Sequence, residues 1–439
     1  MTELRRQIVR LTVPMMAARL LAILVPILII GMLGWMDGEA LQIRSLYMPM
    51  AFLFFALQAI FDVATQTIMA LRSGRGEHDA GPTLASMALV WLVGGLVFAG
   101  ALSAGAPALA EVLGAPPESA DHFAWFLRWM AFANMTLAGP VLCAAALRGT
   151  GRAGTAALIV LVGSVLEVAG LAVLGFGADM GTAALPLATV LNGLVGGALG
   201  IVLVSRAGLL GGWGWQREVL RYLPQTGLPV CMSSLVMFGM NLAFVRMLSP
   251  FGPTVIAGFA TAATVQNLLV MPALTLGSAS AIVMNQRLGA DRPQLAPVLR
   301  TALRITVAVY AVITPVVWLS RGLIGSVTAE NGRIAEETAR YFAIVAPSYL
   351  ALALVLAVMM ALQQVGGVRM ALSATVLYVV LTVAVGAWAS QGADGPVPLY
   401  SVMSAMNVGG LLAVAGALAF VRRQDRRRLD RPAAQRVRA

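Results

Sequence analysis

Residues 157–177, ALIVLVGSVLEVAGLAVLGFG, form a run of hydrocarbon-grade sequence with a single carboxylate, Glu167, near the middle. A helix needs about 20 residues to cross a hydrocarbon core of roughly 30 Å, so this run has the length of one complete span. An isolated charge at that depth costs several kcal/mol; such residues face a bundle interior and are tied to ion or substrate pathways. The acid therefore requires neighbouring helices to shield it from lipid.

The rest of the chain supplies them. Of its 439 residues, 59% are hydrophobic and only 11% are charged, and the mean hydropathy is +0.85. Soluble domains of this length do not have that composition. Twelve apolar stretches are long enough to span, at roughly 11–35, 47–71, 84–104, 122–146, 155–176, 183–205, 227–249, 255–284, 300–320, 340–362, 370–390 and 397–421. Backbone polar groups must be satisfied within each segment in lipid, which makes the spans helices. The short alternating segments of a membrane barrel are absent. No cleavable signal peptide is expected ahead of the first span. Cys143 and Cys231 fall within spans and His78 and His122 in loops, so no disulfide framework, metal or cofactor is expected.

All thirty basic residues are arginine. Arg5, Arg6 and Arg10 precede span 1; Arg72 and Arg75 follow span 2; Arg148 and Arg152 follow span 4. Arg206, Arg217 and Arg221 separate spans 6 and 7, Arg287 and Arg292 follow span 8, and Arg369 follows span 10. The opposite loops carry little besides Arg44, Arg321 and Arg333. The positive-inside rule then orients the chain as a multi-pass plasma (inner) membrane protein with both termini cytoplasmic. The tail from residue 422 is rich in arginine and reads as a cytoplasmic basic extension, with no nucleic-acid partner expected.

Sliding the second half onto the first by 215 residues, without a gap, brings Pro14 to Pro229, Arg72 and Gly74 to Arg287 and Gly289, Gly151 to Gly366, and Asn192 to Asn407. Six spans per half is an even number, so the repeats share one orientation. The expected fold is an all-α polytopic membrane protein of twelve transmembrane helices in two six-helix bundles, related by a pseudo-two-fold along the membrane normal. Residues 1–205 and 227–421 are the bundles, 206–226 a cytoplasmic linker, and 422–439 the tail. Two bundles facing a central cleft suit alternating access.

Several segments carry a family likeness: LRGTGRAG (147–154), its repeat mate QVGGVRMA (364–371), GLPVCMSSL (227–235), SPFGPTVIAG (249–258) and MPALTLGSASAIVMNQRLGA (271–290). In order and spacing the chain resembles the multidrug and toxic compound extrusion (MATE) family, over all but the tail. That resemblance implies export of amphipathic, often cationic, small molecules against inward sodium or proton flow. In one branch of the family an aspartate in span 1 couples with an asparagine and an aspartate in span 5. At those positions this chain has Pro26, Glu167 and Leu171. In the other branch acids in spans 7 and 10 matter, and the stretches assigned here to those spans contain none.

Depth along the helices matches the intramembrane charges in pairs. At 1.5 Å per residue, Glu167 lies roughly 22 Å above Arg152, while Arg128 lies about 9 Å below the start of span 4. Asp62 above Arg72 and Arg19 above Arg10 are also level. The expected ion pairs are Glu167 with Arg128 and Asp62 with Arg19, and Glu167 and Asp62 are the candidate cation-coupling residues. Gln66, Asn134, Asn192, Asn241 and Asn407 are candidates to line the cavity, and Pro26 with Gly31 is the candidate hinge of span 1. Gln266 and Asn267 are further polar candidates.

The function expected on these grounds is cation-coupled antiport exporting amphipathic drugs or metabolites, with H⁺ favoured over Na⁺ because few oxygen ligands converge. The partners expected are a small-molecule substrate and membrane lipids, and the chain is read as a monomer. A flippase for a lipid-linked oligosaccharide is the alternative; it would call for cavity arginines to outnumber acids. An embedded enzyme would need a cluster of nucleophile, metal or acid residues at one depth, and none is present.

Overall fold

The computed structural model describes residues 2–36, 38–113, 115–292, 294–329 and 331–429. They form helices throughout, and among the described residues there is no strand. The first half comprises α1 (Thr2–Met36), α2 (Gly38–Gly74), α3 (Gly81–Val112), α4 (Pro117–Thr136), α5 (Ala138–Gly149), α6 (Ala153–Ala172) and α7 (Ala184–Arg206). A short α8 (Glu218–Tyr222) leads into α9 (Leu228–Leu248), α10 (Pro253–Gly289), α11 (Leu295–Leu319), α12 (Arg321–Thr328) and α13 (Gly332–Val345). The chain then runs through α14 (Tyr349–Gln364), α15 (Val368–Ala389), α16 (Val397–Gly409) and α17 (Leu411–Leu429). Among the described residues, twelve segments are long and apolar enough to cross a membrane. The basic tail beyond Leu429 lies outside the described residues.

In spans 4 and 10 the helix is broken, and the breaks have a local cause. Span 4 is α4 followed by α5, interrupted at Leu137. Pro140 has no N–H to offer the carbonyl four residues back, at Thr136, and the helix parts there. Span 10 is α13 and α14, joined by a single 3₁₀ turn over Ala346–Ser348 that contains Pro347. This span begins at Gly332 rather than near residue 340. The earlier start draws Glu336 and Glu337 into it, which corrects the expectation of an acid-free span 10.

The contacts divide the chain into two compact units. One holds Val13–Leu228; the other holds residues 1–12 together with Pro229 onward. These limits differ from those drawn at 205 and 227. The linker and the beginning of span 7 belong with the first unit, and the first turns of α1 with the second. Both limits fall beside the repeat-related prolines Pro14 and Pro229.

The backbone repeats the offset independently of side-chain identity. Left-handed residues occur at Gly76 (φ 81°) and Gly151 (φ 87°), and 215 positions later at Asp291 (φ 53°) and Gly366 (φ 79°). These are loop positions where the chain leaves one helix and turns into the next, a geometry glycine adopts at low cost. Each unit has its own core. The first buries Leu33, Tyr47, Phe123, Phe126, Leu127 and Leu171. The second is richer in tyrosine, with Tyr310, Tyr341, Tyr349 and Tyr400 packed round Phe244, Phe259 and Phe342.

An aspartate pins the segment after the last span of each half. In the first unit, Asp79 Oδ1 accepts from the N–H groups of Gly81 at 2.8 Å and Gly211 at 2.9 Å, and Oδ2 from Gly212 at 3.1 Å. Further along the same linker, the Gln216 N–H donates to Ser86 Oγ at 2.7 Å. In the second unit the acid comes from the other side: Asp425 of α17 accepts from the N–H groups of Leu295 and Ala296 at 3.0 and 2.9 Å. Both aspartates satisfy donors at a helix N-terminus that have no intrahelical partner. The burial of Asp79 is slight and pulls its carboxyl pKa upward. The three N–H donors and the Arg72 charge outweigh that and hold the group below the ordinary carboxylate range.

Candidate functional site

In the first unit α6 packs on α7 and turns Glu167 toward it. Thr189 and Asn192, three residues apart on one face of α7, meet the carboxylate there. Asn192 Nδ2 donates to Oε2 at 3.0 Å, and Thr189 Oγ1 donates to Oε1 at 3.4 Å. A glycine makes room for the amide: a Cβ on Gly163, one turn back along α6, would come within 2.3 Å of Asn192 Oδ1. Glu167 is half-buried, and the partners that reach it are neutral donors.

Arg128 is not among them. It sits on the exposed side of α4 and donates from Nε to the Ser103 carbonyl of α3 at 3.2 Å. Equal depth does not bring two side chains together, because it leaves the rotation of each helix open. The cation within electrostatic reach of Glu167 is Arg44, near the start of α2. Sequence reasoning had put Arg44 in an outer loop, yet it is only 7% exposed. Its guanidinium lies 5.2 Å from the centre of the Tyr47 ring, a cation–π distance.

Tyr47 leads on to Asn134. Asn134 Nδ2 donates to the Tyr47 hydroxyl at 3.3 Å, and its Oδ1 accepts from Gln58 Nε2 at 3.2 Å. Tyr47 and Gln58 are about 16 Å apart along an ideal helix, with Pro49 between them, and both converge on this one amide. Asn134 and Gln58 border a cavity of about 190 Å³ whose other walls include Phe54, Phe61, Trp91 and Phe98. Its lining is aromatic, with one amide pair, which suits a flat amphipathic molecule. A shallower recess of about 380 Å³ lies between His122 and Trp125 of α4 and the Asp179–Ala183 turn.

Asp62 takes a different partner from the one expected. Its carboxylate meets Nη2 of Arg148, the last-turn arginine of α5. Arg148 Nε also donates to Gln66 Oε1 at 3.1 Å. The sequence assigned Arg148 to the cytoplasmic loop. Gly149 lets α5 approach α2 so closely that a Cβ there would meet the Gln66 carbonyl at 2.6 Å, which carries Arg148 inward. Arg19 stays within electrostatic reach of both members of the pair.

The remaining polar candidates separate. Asn407 is buried, accepts from the Tyr378 hydroxyl at 2.8 Å and donates to Ser348 Oγ at 2.8 Å. Asn241 is exposed and donates to the Met237 carbonyl of its own helix, which removes it from any internal network. Gln266 Oε1 accepts from the hydroxyls of Tyr341 at 2.6 Å and Tyr349 at 3.1 Å. Pro26 lies inside an unbroken α1, and a Cβ on Gly31 would meet nothing within 4 Å.

A residue the sequence reading missed is Glu337. It is 4% exposed, accepts from Tyr400 at 2.9 Å and from Arg340 at 2.7 Å, and packs its stem against Gly258. The signal for it was present: Glu337 and Arg340 are spaced i, i+3 in an amphipathic stretch that continues span 10 outward.

The chain is similar along nearly its whole length to solved transporters. The Vibrio cholerae MATE transporter VcmN in its bent form superposes with a TM-score of 0.90 at 18% identity, covering 97% of this chain and 99% of that one. An outward-facing multidrug resistance MATE transporter of the MOP superfamily gives 0.86 at 18% identity, over 98% and 97%. A MOP superfamily transporter from Pyrococcus furiosus gives 0.85 at 18% identity, also over 98% and 97%. No curated protein sequence matches the chain. The MatE family model matches it twice, over residues 14–173 and 229–388, and the two matches begin 215 residues apart, the offset at which the halves repeat. The chain belongs to the MatE family, a family of membrane transporters.

Proposed function

We propose that the protein is a proton-coupled exporter of amphipathic small molecules in the plasma (inner) membrane, working by alternating access, with Glu167 as the group that takes up the proton. The observation carrying this reading is the difference in partners among Asp62, Glu337 and Glu167. Asp62 is joined to Arg148, and Glu337 to Arg340 and Tyr400. Protonating either one gives up an existing ion pair with a guanidinium. Glu167 is held by an amide and a hydroxyl, so a proton can come and go there without breaking a salt bridge.

The cargo class follows from the aromatic cavity around Phe54, Phe61, Trp91 and Phe98, with Asn134 and Gln58 as its hydrogen-bonding edge. Through Asn134, Tyr47 and Arg44 this edge is linked to the neighbourhood of Glu167, so cargo and proton can sense each other within one bundle.

The test is ΔpH-driven uptake of fluorescent amphipathic cations into inside-out proteoliposomes. Glu167→Gln, which keeps the shape and stays neutral, is expected to insert, bind cargo and lose ΔpH-driven transport. Full proton-driven transport by that variant at normal abundance would remove Glu167 from the coupling role.

A further inference from the structure

Where α11 begins and α17 ends, the second unit carries positive charge that its own acids do not neutralise. Asp425 is buried, and its two carboxylate oxygens accept from the N–H groups of Leu295 and Ala296 at 3.0 and 2.9 Å. Val421 and Ala417, one and two turns back on the same side of α17, are buried as well. That face is committed to packing, and Arg422, Arg423, Arg426 and Arg427 are left exposed beside it. On α11, Arg300 and Arg304 are exposed at i, i+4, one above the other. Among the described residues, none of these six arginines makes an ion pair or a hydrogen bond. The nearest acid in the chain, Asp425, is occupied by backbone donors, and Asp291 makes no ion pair among the described residues.

Depth shows what such charges meet. Arg300 and Arg304 lie about 6 and 12 Å along α11 beyond Ala296, within a helix long and apolar enough to cross a membrane. A charge inside a span ordinarily faces protein and has a partner there. Arg304 instead shares its side of α11 with Val307 and Ala311, both exposed and apolar, as a lipid-facing stripe requires.

The internal repeat supplies an independent comparison. The positions 215 residues before Arg300 and Arg304 are Ala85 and Leu89, and Leu89 is 51% exposed on α3. Those before Arg422, Arg423, Arg426 and Arg427 are Ala207, Gly208, Gly211 and Gly212. The first copy of the scaffold is neutral at all six positions, so the fold does not call for the charges. A long stem lets an arginine inside a span carry its guanidinium back toward the headgroup layer. A guanidinium pairs with phosphate through two parallel hydrogen bonds. On a face that opens to acyl chains, the phosphate that arrives belongs to a lipid.

We infer that the second unit binds the headgroup of an anionic phospholipid where α11 and α17 meet, in the leaflet at which α17 ends. Arg300 and Arg304 hold it from one helix and the arginines of α17 from the other. Asp425 is a positioning residue: by tying α17 to the first turn of α11 it keeps both sets of arginines in one headgroup layer. Basic clusters of this size at the end of a membrane helix attract anionic lipid, each arginine adding about fivefold in affinity.

The experiment reads lipid binding and is separate from the transport test of Glu167. Full-length protein in a neutral detergent is titrated with phosphatidylglycerol, with phosphatidylcholine of the same acyl chains, or with inorganic phosphate. Native mass spectrometry counts what stays bound. Wild type is expected to retain phosphatidylglycerol at least about tenfold more tightly than phosphatidylcholine, and to retain no inorganic phosphate. Arg300→Gln with Arg304→Gln should weaken phosphatidylglycerol binding by about tenfold or more. Arg206→Gln with Arg217→Gln, two exposed arginines of the linker, removes the same charge elsewhere and should change it by less than about twofold. Arg422→Gln with Arg426→Gln should weaken it as the α11 pair does, and decides the matter if the α11 pair does not fold. Equal retention of the two lipids, phosphate retained as tightly as the lipid, folded α11 or α17 pairs with undiminished binding, or a loss as large in the linker pair would each overturn the inference.

Discussion

Tyr378 donates a 2.8 Å hydrogen bond to Asn407, and the two residues stand 215 positions beyond Gly163 and Asn192. The same asparagine position is thus served in opposite ways. In the second unit a tyrosine hydroxyl fills the space beside the amide. In the first, glycine leaves that space open, and the amide turns to Glu167. A duplicated scaffold has kept the asparagine and made only one copy a charge-bearing site.

Gly163→Ala tests this arrangement. The new Cβ would lie 2.3 Å from Asn192 Oδ1, so the amide must rotate away from the carboxylate. The hydrogen bond lost is one to a charged group, and the expected destabilisation is about 1.5–3 kcal/mol. Thermal unfolding in detergent measures it, with ΔpH-driven transport falling in parallel. An unchanged melting temperature and unchanged coupling would show that the amide has somewhere else to go.

Gly31→Ala is the contrasting case. Nothing lies within 4 Å of the added Cβ, and alanine is favoured over glycine in a helix by up to about 1 kcal/mol. Stability should hold or rise. If bending of α1 at Pro26 and Gly31 is part of the cycle, the transport rate falls in a protein that melts no earlier. A rate equal to wild type would remove Gly31 from the hinge.

Asp62 and Arg148 should behave as one unit. Their side chains are 34% and 14% exposed, so water screens the pair in part. Removing one partner should cost about 1–3 kcal/mol, less than for a fully buried pair. The double variant Asp62→Asn, Arg148→Gln should be more stable than the sum of the singles, by at least about 0.5 kcal/mol in a thermodynamic cycle. Transport by Asp62→Asn should exceed that of Glu167→Gln.

Acid should loosen the linker before it loosens the bundles. The folded-state pKa of Asp79 is depressed. Its contribution is therefore complete above the unfolded value of about 3.9 and is lost as pH falls through the lower folded value. Hydrogen exchange at Gly211 and Gly212, compared near neutrality and at a pH below that range, should show protection disappearing at the acid end. Asp79→Ala should abolish protection at all pH values at a cost of about 1 kcal/mol. Protection that is the same in Asp79→Ala would show that Gln216 and Ser86 hold the linker without it.

Glu337 should matter for the second unit's stability. Tyr400→Phe removes one hydroxyl donor from a carboxylate that is 4% exposed, and about 1.5–3 kcal/mol is expected. Glu337→Ala should cost more, since Tyr400 is left buried without its acceptor. Hydrogen exchange should localise both effects to α13 and α16. A melting temperature unaffected by Tyr400→Phe would show the acid to be satisfied by Arg340 alone.

The elements that could be read in advance share one property. Span length, the repeat offset and the loop glycines are one-dimensional: each depends on position along the chain. Glu167 and Asn192 were both identifiable as intramembrane polar groups, and they do meet. The pairing of Glu167 with Arg128 failed although their depths agree, because depth is one coordinate and helix rotation another. Arg148 was hidden by its position at a helix end, where an arginine ordinarily marks the cytoplasmic boundary. Glu337 was hidden by a span drawn eight residues short.

The sequence by itself determined that the chain is a duplicated, all-helical membrane protein with few intramembrane charges. Hydrocarbon imposes backbone self-satisfaction and a minimum length, and both are written in composition. Only the tertiary structure decided which charges meet: Asp62 with Arg148 through the close approach at Gly149, and Glu167 with Asn192 through the space at Gly163. Such choices depend on the rotation and separation of packed helices to within an ångström or so, and these are set jointly by every side chain at the contact.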